Sequence, residues 1–189
     1  AAFDDLLQAN LLGTYNLYEG ARKNGKPRIL FASSNHAIGF HKRTTKLDDA
    51  SEQRPDSLYG VTKCYGEALA SYYNDKFDVE TVSLRIGSCF EKPRNRRMLS
   101  TWMSPRDFMS LIKAVFDAPM TGHLVMYGVS NNASKWWSND HAAFLGWNPQ
   151  DSSEQFRAEI EAASEAEDRH DPAVIYQGGP FASAGHFED

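Results

Sequence analysis

At 189 residues the chain is long enough to bury one substantial core. Its net charge of -5 gives no electrostatic case for nucleic-acid binding, and no apolar run reaches the roughly 20 residues of a membrane helix. Cys64 and Cys89 stand far apart and form no CxxC pair, which argues against a disulfide scaffold or structural zinc and for a reducing cytoplasm.

Phe3, Leu6, Leu7, Leu11, Tyr15, Leu17 and Tyr18 recur at helical spacing and predict an amphipathic helix over residues 3–24, stopped by Asn24-Gly25 and Pro27. The apolar run Arg28 to Ser33 reads as a strand buried on both faces of a parallel sheet. A polar loop follows from Asn35 to Pro55. Asp56 or Ser57 can cap a long helix ending near Phe77. Val79 to Ile86 is β-rich and predicts the next strand. Ser104-Pro105-Arg106-Asp107 is a capping box that opens a helix to about Ala118. Leu124 to Tyr127 reads as another strand, short helices follow near 139–144 and 152–166, and 168–189 reads as an irregular tail. Helix and strand thus alternate as in a doubly wound α/β sheet, and no linker divides residues 1–189 into two domains.

Tyr59 and Lys63 stand four apart on the long helix, so both side chains share one face. A phenol titrates near 10 and is a poor base at neutral pH, but a neighbouring ammonium favours the phenolate. Such a pair can take a proton from an alcohol. Ser34 lies where the first strand ends, at the edge where α/β sheets place ligands, and can hydrogen-bond the same alcohol oxygen. Arg97 sits in the basic stretch from Lys92 to Arg97, after the second strand; a guanidinium there can grip a carboxylate bidentately, or the stretch is simply a solvated loop. The six histidines show no metal-ligand spacing.

Four segments in order carry a resemblance: Asn10-Leu-Leu-Gly13, Phe31-Ala-Ser-Ser34, Tyr59-Gly-Val-Thr-Lys63 and Leu84-Arg-Ile-Gly87. Together they resemble the extended short-chain dehydrogenases, with a Rossmann-like fold. Ser33-Ser-Asn-His-Ala-Ile-Gly39, Arg85-Ile-Gly-Ser-Cys89, Arg97-Met-Leu-Ser-Thr-Trp102 and Phe144-Leu-Gly-Trp147 look most like the uronate dehydrogenases within that group. The resemblance implies NAD as cofactor and a small uronic acid as substrate, oxidised at C1 to a lactone. It implies a catalytic set of Asn10, Ser34, Tyr59 and Lys63, and substrate contacts from Ser34, Asn35, His36, Tyr59, Ser88 and Arg97. Tyr59, Lys63, Ile86 and Cys89 would line the cofactor, and the protein would form a homo-oligomer. The alternatives are a nucleotide-sugar epimerase or dehydratase of the same superfamily and a non-catalytic module.

The glycine-rich fingerprint that such enzymes carry after their first strand does not occur in this sequence. The chain also opens on Ala1-Ala2-Phe3, without methionine and directly in a helical pattern. The expectation is therefore an incomplete sheet lacking its N-terminal βα units, with a small C-terminal substrate-binding part. Taken alone, the chain is expected to bind NAD weakly and to expose an apolar strand edge.

Overall fold

The computed structural model describes residues 3–185. The N-terminal helix runs as α1 (Phe3–Leu6), a π-helical stretch (Leu7–Leu12) and α2 (Gly13–Lys23). The sequence pattern shows one helix here; it does not show the wider π turn, which inserts between two ordinary helical segments. Leu6 and Tyr18 face inward, whereas Phe3, Leu12, Tyr15 and Leu17 are exposed. The amphipathic reading of the helix therefore holds for only part of its apolar set.

Strand β1 (Ile29–Ser34) leads through a single 3-10 turn at Asn35–Ala37 into an irregular loop. Helix α3 (Leu58–Phe77) is capped by Ser57, whose hydroxyl accepts from the Gly60 amide at 3.0 Å. That decides between the two candidate caps. Strand β2 (Thr81–Ile86) is followed by the short β3 (Ser88–Cys89), α4 (Met98–Thr101) and β4 (Trp102–Met103). Helix α5 (Pro105–Asp117) begins as the capping box predicts: the Ser104 hydroxyl accepts from the Asp107 amide at 3.0 Å. Strand β5 (His123–Gly128), 3-10 turns at Asp140–Leu145 and Ser153–Phe156, and α6 (Arg157–Ala163) complete this part.

The main sheet has strand order β1-β2-β5, all parallel. Its register sets Ser34 beside Ile86 and Ile86 beside Gly128, so the three carboxyl ends are level. On one face Ile29 and Phe31 pack with Tyr18 and Ala21 of α2 and Ala70 and Tyr73 of α3. On the other, Val82, Leu84, Leu124 and Met126 pack with Leu111 and Val115 of α5 and with Ala142 and Leu145. Helices thus cover both faces, the doubly wound α/β arrangement. A third cluster, with Ile38, Leu47, Tyr127, Val129, Trp136 and Trp137, closes the carboxyl end of the sheet. Both tryptophans are packing residues.

Two expectations need correction. Strand β1 is not buried on both faces: Ala32 is exposed and Leu30 only half-buried, because the strand borders the sheet among the described residues. The segment from residue 168 is not irregular either. It forms α7 (Pro172–Ile175) and a 3-10 turn (Gly179–Ala182), and Gln177 is fully buried. Gln177 accepts from the Trp137 indole at 2.7 Å and donates to the carbonyls of Lys42 and Thr45 at 3.1 and 2.9 Å. A side chain with both amide ends bonded in the interior holds the segment against the body. The last part of the tail, residues 186–189, lies outside the described residues. Among those described, no helix is long and apolar enough to cross a membrane.

Candidate active site

The first turn of α3 lies against the turn after β1 because residue 60 is glycine. A Cβ there would fall 2.2 Å from the His36 carbonyl oxygen. This close backbone approach brings Tyr59 to the carboxyl end of β1. Burial pushes the Tyr59 phenol above its ordinary value, and the facing Ser34 hydroxyl offsets part of that rise. The Ser34 hydroxyl also accepts from the His36 amide at 3.2 Å. One turn along α3, Lys63 donates to the Ala32 carbonyl at 2.9 Å, and its ammonium lies 5.3 Å from the centre of the Tyr59 ring. The spacing argument expects Lys63 to lower the phenol; in this arrangement burial leaves the phenol raised on balance. Burial also lowers Lys63.

Asn10 reaches the same helix from the π-helical stretch. It donates to the Thr62 hydroxyl at 2.8 Å, and Thr62 in turn donates to the Tyr59 carbonyl at 2.7 Å. Asn10 therefore fixes the backbone that carries Tyr59. A π turn widens a helix locally and is frequent where a side chain must be aimed at a site.

Across from Tyr59 the structure gathers Asn35, His36, Ile86 and Arg97. With its amide oriented so that both ends find partners, buried Asn35 accepts from Arg97 Nη2 at 2.6 Å and donates to the Ile86 carbonyl at 3.2 Å. Arg97 also donates through Nε and Nη2 to the Gln177 carbonyl, at 2.8 and 2.6 Å. Its Nη1 has no hydrogen-bond partner, and the guanidinium no ion pair, among the described residues. Burial and the nearby Arg43 push Arg97 down to about 10 against an opposing pull from the Asp56 carboxylate, so it stays charged at neutral pH. A half-buried cation whose direct hydrogen bonds all go to neutral oxygens can take up an anion. Arg97 is thus anchored to Asn35 and Gln177, while Lys92 and Arg94 of the same stretch are exposed.

Two residues of the expected set stand apart. Ser88 is buried with its hydroxyl 3.0 Å from that of Thr101, and no hydrogen bond joins it to Tyr59 or Arg97 among the described residues. Cys89 is half-buried on β3, with its thiol pushed up by burial, and likewise bonds to none of the others.

A family model for the NAD dependent epimerase/dehydratase family matches residues 2–106. The chain is 51% identical to a uronate dehydrogenase of Pseudomonas putida over 186 residues, covering 98% of this chain and 69% of that protein. The chain belongs to this family. Its fold superposes on the crystal structure of a glucuronic acid dehydrogenase from Chromohalobacter salexigens with a TM-score of 0.98 at 59% identity, covering 100% of this chain and 71% of that one. It matches a mutant uronate dehydrogenase from Agrobacterium tumefaciens, solved in complex with NAD, with a TM-score of 0.96 at 51% identity, covering 98% and 70%.

The residues present fit one end of the family's cofactor. Lys63 spends one of its three N–H donors on Ala32 in an exposed bond, and a ribose diol can take the others.

Sequence reasoning missed three parts of the site. Asp56 bonds the His36 ring at 2.9 Å, Gln177 holds Arg97, and Phe181 stacks on His36 with ring centres 3.9 Å apart. A buried network beneath the site was missed as well. Glu67 and Arg85 pair at 2.8 Å with side chains only 3% exposed. Ser33 and Gln53 donate to Glu67 at 2.6 and 2.8 Å, and Arg85 donates to the Tyr127 hydroxyl at 3.0 Å. Burial alone would push the Glu67 carboxyl up, but the Arg85, Ser33 and Gln53 bonds outweigh it and hold the carboxyl low. The signal available in sequence was a glutamate one turn beyond Lys63 and an arginine inside an apolar strand, each needing a partner if buried.

Proposed function

We propose that this chain carries the catalytic and substrate-binding residues of an NAD-dependent uronate dehydrogenase, acting on cyclic D-galacturonate or D-glucuronate. The observation that carries the reading is the half-buried Arg97 guanidinium, which makes no ion pair among the described residues and is held by Asn35 and Gln177 beside the turn that follows Ser34. A hexuronate presents both required groups: a carboxylate for Arg97 and an alcohol for Tyr59.

Arg97 binds the C6 carboxylate through Nη1, with Asn35 and Gln177 fixing the plane of the guanidinium. Ser34 hydrogen-bonds the C1 oxygen and orients it toward the Tyr59 hydroxyl. Tyr59 takes the C1 hydroxyl proton as general base. Lys63 stabilises the phenolate and holds the nicotinamide ribose, and Asn10 keeps this turn of α3 in place through Thr62. Ile86 and Cys89 line the cofactor side, and His36 and Ser88 contact sugar hydroxyls. When bound, NAD supplies the acceptor for the C1 hydride. Loss of that hydride and of the hydroxyl proton converts C1 to a carbonyl, so the ring product is the aldarolactone.

The reading includes a cytoplasmic setting, supported by two free cysteines, and a homo-oligomer formed through the exposed Leu12, Tyr15 and Leu17 of the N-terminal helix and Val61 of α3.

The carboxylate assignment is tested in the full-length protein by Arg97→Met, with galacturonate and galactose compared as substrates. The expected outcome is a loss of about 10²-fold or more in kcat/KM for galacturonate, as for a removed charge-assisted contact, with no loss for galactose. Equal losses on both substrates would reject Arg97 as the carboxylate ligand.

A further inference from the structure

Asp56 lies at the junction of three parts of the site, and none of the expected roles uses it. Its carboxylate is 2.9 Å (Oδ2) and 3.1 Å (Oδ1) from His36 Nδ1, and its side chain is fully buried. The Ser57 hydroxyl, which also caps α3, donates to Oδ1 at 3.0 Å. The carboxylate fills a slot between two backbones. A Cβ on either Gly39 or Gly178 would fall 1.8 Å from Oδ2. Those backbones are themselves joined, since the Gly178 amide donates to the Gly39 carbonyl at 2.9 Å. No side chain but glycine leaves room for the carboxylate at either position.

A carboxylate only accepts hydrogen bonds, so the His36 nitrogen facing it must carry the proton. The ring plane is held by stacking on Phe181 at 3.9 Å and by the edge contact with Tyr59 at 5.9 Å, so the Asp56 bond selects which ring edge faces inward. In the neutral ring Nε2 is then a bare acceptor, and it has no hydrogen-bond partner among the described residues.

We propose that Asp56 is a positioning residue for substrate recognition: it fixes His36 as the Nδ1–H tautomer, so that Nε2 presents an acceptor to a sugar hydroxyl beside Tyr59. The proposal rests on the uronate reading for the identity of the sugar; the tautomer does not depend on it. Asp56 acts on binding and not on the proton transfer, since its carboxylate touches neither Tyr59 nor Lys63. By occupying the slot at Gly178 it also holds the chain between Gln177, which orients Arg97, and Phe181, which covers His36.

The test uses Asp56→Asn in the full-length protein. An amide presents a donor where the carboxylate had none, which favours the opposite histidine tautomer. The expected results are a KM for galacturonate raised about tenfold, the size of one lost hydrogen bond of about 1.4 kcal/mol, with kcat within about threefold of wild type. In a His36→Ala background the same substitution should change KM no further. Nitrogen NMR of the histidine ring, read without substrate, should show Nδ1–H in the wild type and lose it in Asp56→Asn. A wild-type ring protonated on Nε2 overturns the proposal, and so does an unchanged KM in a folded Asp56→Asn. If that variant does not fold, the wild-type tautomer decides alone. If the wild type oxidises no uronate, the substrate reading fails while the NMR result still decides the tautomer.

Discussion

At the residue scale the site combines a base that burial makes hard to ionise with a half-buried cation that makes no ion pair among the described residues. Tyr59 is raised because its phenolate loses solvation, and the Ser34 contact recovers only part of the loss. Below its pKa the ionised fraction of such a group grows about tenfold per pH unit, so the sign of the pH effect follows. The account predicts that kcat/KM for uronate oxidation climbs with pH through neutrality into the alkaline range. A pH–rate profile that is flat or falls over that range would contradict Tyr59 acting from its protonated resting state. The Tyr59–Lys63 pair was legible in sequence because helix geometry fixes a four-residue spacing. The Asp56–His36 pair was not: its members are 20 residues apart across an irregular loop, where spacing carries no geometry. Sequence gives the Tyr59–Lys63 spacing but not the burial that raises the phenol on balance, because it does not show how much of each side chain is covered.

At the element scale, α3 is the part on which catalysis depends. Its first turn presses on the His36 carbonyl at Gly60, its third turn places Glu67 against Arg85, and Gly66 lets the Phe31 ring lie against the helix. Gly60→Ala would put a methyl group 2.2 Å from a backbone oxygen that cannot swing aside, so the helix itself must shift. The expected cost is about 1–3 kcal/mol in stability, as for other overpacked sites, together with a fall in kcat because Tyr59 moves relative to Ser34. Thermal melts and steady-state rates on the folded variant check both parts. An unchanged kcat would mean that the approach of α3 to His36 does not set the position of Tyr59. Helix and strand positions were largely legible, since caps such as Ser104 and Ser57 and the β-rich run before Ile86 are local signals. The π turn around Asn10 was not, because the same residues satisfy an ordinary helical period.

At the scale of the whole molecule, the C-terminal segment behaves as a strap held by one side chain. Gln177 supplies both a backbone acceptor for Arg97 and an amide that bonds Trp137, Lys42 and Thr45. Gln177→Ala would leave a buried indole N–H and two carbonyls without partners, each costing about 1–3 kcal/mol if no water replaces the amide. The prediction is a clearly lowered Tm, measured by calorimetry, accompanied by a raised KM for galacturonate. A lowered Tm with KM unchanged would show that the strap stabilises the fold without orienting Arg97. The strap was read as an irregular tail because its anchoring contacts reach about 130 residues back along the chain, to Lys42 and Thr45. The alternation of strands and helices, by contrast, needs only local pattern, and it gave the doubly wound architecture.

The central claim is that Tyr59 removes the proton from the C1 hydroxyl of a uronate. The direct measurement is NADH formation by the full-length protein with D-galacturonate and NAD, wild type beside Tyr59→Phe, with folding of both checked by circular dichroism. The account predicts turnover in the wild type and a loss of at least about 10²-fold in the variant, the contribution of a positioned general base. Wild-type turnover that survives in a folded Tyr59→Phe would contradict it.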